Sequence, residues 1–227
     1  MKVLWCARLA RPDLNKAISD LTRRLTFWSV ADDNRLHRLM SYLFGSRKVT
    51  LKGYIGGPPE LLRLCCYTDA DHGSAQDDTK STSGMIMTLE GPHSWWPLSW
   101  ASRQQTSTAR STTEAEMVSL GAGLSLEALP MQELLETVFG RQVELVCYQD
   151  NSAVIQIVAA GYSPKLRHLN KIFRINIGSI HEVFEENDDC LLFYIKIAMQ
   201  RTDPFTKPLP VAKWPEALQQ LNVQVST

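Results

Sequence analysis

The chain has 227 residues, 44% of them hydrophobic and 21% charged, with 24 Lys and Arg against 24 Asp and Glu. That length supports one substantial core plus a smaller appendage, zero net charge excludes capture of a polyanion by bulk charge, and no apolar run approaches membrane-spanning length. Charge is unevenly placed, with 12 Lys and Arg against 5 Asp and Glu in residues 1–66 but 12 against 19 in residues 67–227, a basic head beside an acidic body.

Leu14, Ile18, Leu21 and Leu25 recur at helical spacing after Arg-Pro-Asp, with Asp13 as the expected cap. A second helix is predicted over 34–43, with Leu36, Leu39, Met40 and Leu43 on one face. Gly45, Gly53, Gly56, Gly57, Pro58 and Pro59 then punctuate a linker, and the domain boundary is placed at 56–62. Three consecutive strands follow over 62–69, 83–89 and 95–101. Residues 114–139 are helical in composition, with Pro130 breaking or kinking the helix and Gly140 ending it. Residues 143–149 form an apolar run of the kind buried in mid-sheet. Helices over 151–160 and 166–186, a strand over 190–196 and helical patches after Asp203 complete the series. The expected organisation is a helical segment with linker over 1–60, an α/β domain over 61–210 and a tail over 211–227. Cys6, Cys65, Cys66, Cys147 and Cys190 show no Cys-x-x-Cys pair and no zinc spacing, which implies reduced thiols in an intracellular setting, with no targeting signal to choose between cytoplasm and nucleus.

Four acids stand at predicted strand ends or helix starts. They are Asp69 in Tyr-Thr-Asp-Ala-Asp, Glu114 in Ser-Thr-Thr-Glu-Ala-Glu, Asp150 in Tyr-Gln-Asp-Asn-Ser and Asp203 in Arg-Thr-Asp-Pro-Phe-Thr-Lys. Brought onto one patch, four carboxylates repel and need divalent cations to stay ionised together. Each also has a plain explanation. Asp69 fits a turn beside Asp71, and Glu114 fits a helix first turn, where Glu116 competes with it. Asp150-Asn151-Ser152 fits an N-cap run, and Asp203-Pro204 fits a cap followed by a first-turn proline. The joint recurrence points to chemistry.

These contexts resemble the ribonuclease H domain of a copia-type LTR retrotransposon Pol polyprotein. Tyr67-Thr68-Asp69-Ala70-Asp71 is similar to the first acid motif, and Lys80-Ser81-Thr82-Ser83-Gly84 to the Lys-Ser-Thr-Ser-Gly element. Residues 99–105 resemble the third strand and its turn, and 111–116 the helix bearing the glutamate. Asp150-Asn151-Ser152-Ala153 and Asp203 through Leu209 resemble the last two acid motifs. Residues 4–52 resemble, less specifically, the end of the adjoining reverse transcriptase, and the polymerase's own Tyr-x-Asp-Asp motif is missing.

The resemblance implies a ribonuclease H-like α/β fold, with a mixed five-stranded sheet in the order β-β-β-α-β-α-β-α. It implies Asp69, Glu114, Asp150 and Asp203 as catalytic metal ligands for two Mg²⁺ ions, with Mn²⁺ able to substitute. The implied reaction is cleavage of the RNA strand of an RNA–DNA hybrid, leaving a 3′ hydroxyl and a 5′ phosphate. Phosphodiester hydrolysis needs an activated water and a stabilised leaving oxygen, and two hard cations about 4 Å apart supply both. Lys80, Arg103, Arg110 and Arg167 are the candidate phosphate contacts. Trp95, Trp96 and Trp100 are read as core rather than as base-stacking groups. The implied partners are the hybrid and the remainder of a reverse transcriptase, with oligomeric state open. The rival reading is a non-catalytic nucleic-acid-binding or structural remnant whose acids serve as caps and turns. An integrase-type nuclease is disfavoured because a glutamate lies between the first two aspartates and none closes the series.

Overall fold

The computed structural model of the protein describes residues 2–73 and 79–225. In chain order the elements are α1 (Lys2–Leu9), α2 (Asn15–Arg23), α3 (Val30–Gly45), β1 (Val49–Leu51), β2 (Tyr54–Ile55), β3 (Arg63–Asp71), β4 (Thr82–Gly91) and β5 (Ser94–Gln104). They continue with α4 (Thr112–Gly123), α5 (Leu129–Phe139), β6 (Leu145–Gln149), α6 (Ser152–Ala160), α7 (Leu169–Ile172), α8 (Ile177–Glu186), β7 (Cys190–Tyr194), α9 (Asp203–Thr206), α10 (Trp214–Gln220) and β8 (Val223–Val225).

The main sheet runs β2-β5-β4-β3-β6-β7. Its β2–β5, β5–β4 and β4–β3 pairs are antiparallel, whereas β3–β6 and β6–β7 are parallel. This is the ribonuclease H-like arrangement expected, with one strand more than the five foreseen. The extra strand is Tyr54–Ile55, drawn from the stretch read as linker.

The central strand explains the layering. Leu64, Cys65, Cys66 and Tyr67 of β3 are all buried, because helices or connecting segments cover both faces of the sheet. Leu64 and Cys66 join Met87, Met117, Leu120, Leu145 and Cys147 in the larger core, under α4 to α8. Cys65 and Tyr67 join Ile86, Trp100, Val146, Phe205 and Leu221 on the other face. On that second face, α9 lies directly on β4 at Gly84. A Cβ there would sit 2.5 Å from Thr206 Cγ2 and 3.2 Å from the Thr202 carbonyl oxygen, so only glycine admits this approach.

The N-terminal helices have their own small core of Ala7, Leu14, Ile18, Leu21 and Leu39. They dock on β5, where Trp100 Nε1 donates to the Ala7 carbonyl at 2.7 Å and Ser19 Oγ to the Ser102 carbonyl at 3.1 Å. Helix α2 also packs against α9. Asp13 does not cap α2. It is buried, accepts both Nε and Nη2 of Arg11, and accepts the Tyr42 hydroxyl at 2.8 Å. The tail returns to the front of the chain, because β8 pairs antiparallel with β1.

Two further expectations change. The helix foreseen over 166–186 divides into α7 and α8, with Arg174 between them at φ 59°. Pro130 causes no break: it enters the first turn of α5, and the irregularity is a π-helical turn at Leu124–Ala128 just before it. Trp95 and Trp100 are core as expected, whereas Trp96 is 46% exposed. Among the described residues no helix is long and apolar enough to cross a membrane.

Candidate metal centre

Strands β3 and β6 are parallel neighbours with Tyr67 opposite Tyr148. Two residues on, that register sets Asp69 level with Asp150, so both acids emerge at the same end of the sheet. Helix α4 crosses that end and adds Glu116. Asp69, Glu116 and Asp150 each offer a carboxylate oxygen, and the three atoms lie within 4.8 Å of one another. Asp69 and Glu116 are buried and Asp150 is half-buried.

Crowding shows in the proton affinities. Burial first, then the Asp69 and Asp150 charges, pushes the Glu116 carboxyl up to about 10. Burial, then Asp69 and further off Asp203, raises Asp150 to about 6. Three adjacent carboxyls, one of which holds its proton well past neutrality, are a hard-oxygen donor set suited to a divalent cation. The residues present therefore fit such an ion.

The donors around the cluster fix its geometry. Thr206 Oγ1 donates to Asp69 Oδ2 at 2.6 Å, and Ser119 Oγ donates to the Asp69 carbonyl at 2.8 Å. Asp203 stands at the rim. Its charge is felt by Asp150, and its own Oδ1 lies 2.7 Å from Lys207 Nζ.

The glutamate expected to join the aspartates was Glu114, and the structure places Glu116 there instead. Residues two apart on a helix point about 200° apart, so only one of the pair can face Asp69. The face carrying Glu116, Ser119 and Gly123 is the one pressed on β3, where a Cβ on Gly123 would meet Thr68 Cγ2 at 2.8 Å. Glu114 shares the other face with Gly121, whose Cβ would meet Ile175 Cγ2 at 2.8 Å. There Glu114 is buried and its Oε1 lies 2.9 Å from His168 Nε2.

The predicted phosphate contacts differ in setting. Arg110 is exposed in the approach to α4. Arg103 is ion-paired with Glu127 at 2.6 Å, and Arg167 donates to the Tyr162 hydroxyl at 2.7 Å and lies over its ring. Lys80 is half-buried just before β4. Sequence reasoning missed Thr206 and Lys207 as neighbours of the acids. Their signal was their place in the Asp-Pro-Phe-Thr-Lys run, one helical turn after Asp203.

A pH prediction follows from the two raised carboxyls. In the cation-free protein they retain protons that the unfolded chain releases near pH 4 to 4.5, roughly the free carboxylate values. The folded state then binds more protons than the unfolded one, so stability falls as pH rises from about 4 through 6 and on toward 10. Thermal unfolding in EDTA between about pH 5 and 8 should show that decline, and excess Mg²⁺ should flatten it. A midpoint independent of pH in EDTA would contradict the crowding described above.

No family model matches the chain. It is 30% identical over 207 residues to the retrovirus-related Pol polyprotein from transposon RE2 of Arabidopsis thaliana, covering 88% of this chain and 13% of that protein. The corresponding polyprotein from transposon RE1 of the same plant is 34% identical over 206 residues, with the same coverage of 88% and 13%. The putative transposon Ty5-1 protein of Saccharomyces cerevisiae is 32% identical over 103 residues, 45% of this chain and 31% of its own length. The chain thus spans only 13% of the two plant polyproteins. Among solved structures, an RNase H1 isolated from compost superposes with a TM-score of 0.43 at 16% identity, over 63% of this chain and 92% of that one.

Proposed function

We propose that this chain, 30% and 34% identical to two retrovirus-related Pol polyproteins of Arabidopsis thaliana, hydrolyses the RNA strand of an RNA–DNA hybrid with the help of two Mg²⁺ ions. The nuclease class, the substrate and the metal all belong to this proposal. The observation that carries it is the meeting of Asp69, Glu116 and Asp150 at one end of the sheet. Divalent cations, when bound, activate water and stabilise charge on the leaving oxygen.

The chain's own residues do the rest. Asp69, fixed by the Thr206 hydroxyl, and Glu116 and Asp150, brought beside it by α4 and β6, would hold the cations, with Asp203 at the rim as a further carboxylate for them. Lys80, Arg103, Arg110 and Arg167 are assigned to the nucleic-acid backbone. A hybrid is selected through its groove width and the 2′-hydroxyls of one strand. The remainder of a reverse transcriptase is the proposed protein partner, which would hold the same duplex.

The test is cleavage of labelled hybrid, double-stranded RNA and double-stranded DNA in Mg²⁺. We expect hybrid alone to be cut, and Asp150→Asn to stop the reaction while hybrid binding persists. Undiminished cleavage by that variant would refute the ligand set.

A further inference from the structure

Gln149, the last residue of β6, is fully buried, and its amide touches two of the three acid-bearing segments. Its Oε1 accepts the backbone N–H of Asp150 at 2.8 Å and that of Asn151 at 3.2 Å. Its Nε2 lies 3.4 Å from Glu116 Oε2 and donates to it. Backbone N–H groups only donate, so they dictate which end of the amide is oxygen. The NH₂ end is left facing the glutamate. One side chain thereby joins the turn that carries Asp150 to a carboxyl on α4.

We propose that Gln149 is a positioning residue for the metal centre, acting through Glu116. The inference rests on the ligand set assigned under the proposed function. Glu116 has rotatable side-chain bonds, and besides the backbone N–H of Ala70 its other close neighbours in the cluster are the carboxyls of Asp69 and Asp150, which repel it once ionised. A neutral amide donor counters that repulsion and holds the carboxyl inward. The Asp150 N–H bond ties the same amide to the turn carrying the second ligand, so one buried group bears on both acid-bearing segments.

Gln149→Met keeps the length and bulk of the side chain while removing donor and acceptor. Mn²⁺ titration calorimetry should show affinity reduced about tenfold or more, with kcat on hybrid reduced comparably and KM within about twofold of the unmodified protein. Mn²⁺ affinity unchanged within twofold, or a loss confined to KM, would overturn the positioning role while leaving the ligand set intact. Failure of the unmodified protein to bind Mn²⁺ would instead remove the ligand set and this inference together. Should the variant not fold, the unmodified protein supplies the readout. The Gln149 side-chain amide signal in ¹⁵N spectra should shift as Mg²⁺ is added, and an unmoved signal overturns the proposal.

Discussion

Glu116→Gln is expected to abolish both Mn²⁺ binding and hybrid cleavage, whereas Glu114→Gln keeps both within a few-fold of the unmodified protein. The difference comes from what each carboxyl touches. Glu116 lies among Asp69 and Asp150, and an amide there offers one neutral oxygen where a cation needs a charged ligand. The loss should exceed the roughly 100-fold at which removal of an outer-shell partner tops out. At Glu114 the amide oxygen still accepts from His168 Nε2, so the contact that holds the start of α4 survives. Calorimetry and single-turnover cleavage on the two variants decide the matter. A dead Glu114→Gln beside an active Glu116→Gln would return the ligand role to the residue first expected.

Gly84→Ala is expected to be nearly as damaging, though alanine is the smallest change possible there. The added carbon would lie 2.5 Å from Thr206 Cγ2, 3.0 Å from Phe205 Cβ and 3.2 Å from the Thr202 carbonyl oxygen. The last of these is backbone and cannot swing aside, so α9 must lift from the sheet by a fraction of an ångström to about 1 Å. That helix carries Asp203, and Thr206 on it holds Asp69. A displacement of about 1 Å can cost about 100-fold in rate, and overpacking of this kind costs about 1–3 kcal/mol of stability. Cleavage rate and thermal midpoint within experimental error of the unmodified protein would show that α9 does not rest on β4 in this way.

The sequence disclosed β3 to β7, and the meeting of Asp69 with Asp150, because both depend on local pattern. A buried central strand must be apolar throughout, as 64–67 and 145–147 are, and an aspartate just past such a run is placed by the strand itself. Helix faces were harder to read. Glu114 and Glu116 both suit the first turns of α4, and the choice turns on which face meets β3. The spacing Glu116, Ser119, Gly123 puts small residues on one face and marks a close helix–strand approach, a signal that was present and passed over. The role of Asp13 was not legible, because its partners Arg11 and Tyr42 meet it only through tertiary packing. Nor was the short edge strand Tyr54–Ile55, whose two residues carry no periodicity and owe their conformation to pairing with Ser94 and Trp95. Gln149 looked like the end of an apolar run, and only the neighbouring helix gives its amide a task.

The union of β1 with β8 buckles the molecule shut. Lys52 N–H donates to the Asn222 carbonyl at 3.0 Å, and Asn222 Nδ2 donates back to the Lys52 carbonyl at 2.9 Å. A protease nick within 56–62 would therefore leave two fragments that travel together until denaturant separates them. Trimming the chain ahead of Asn222 would unfasten that buckle, with no peptide bond near the front helices broken, and leave those helices held by their dock on β5 and α9.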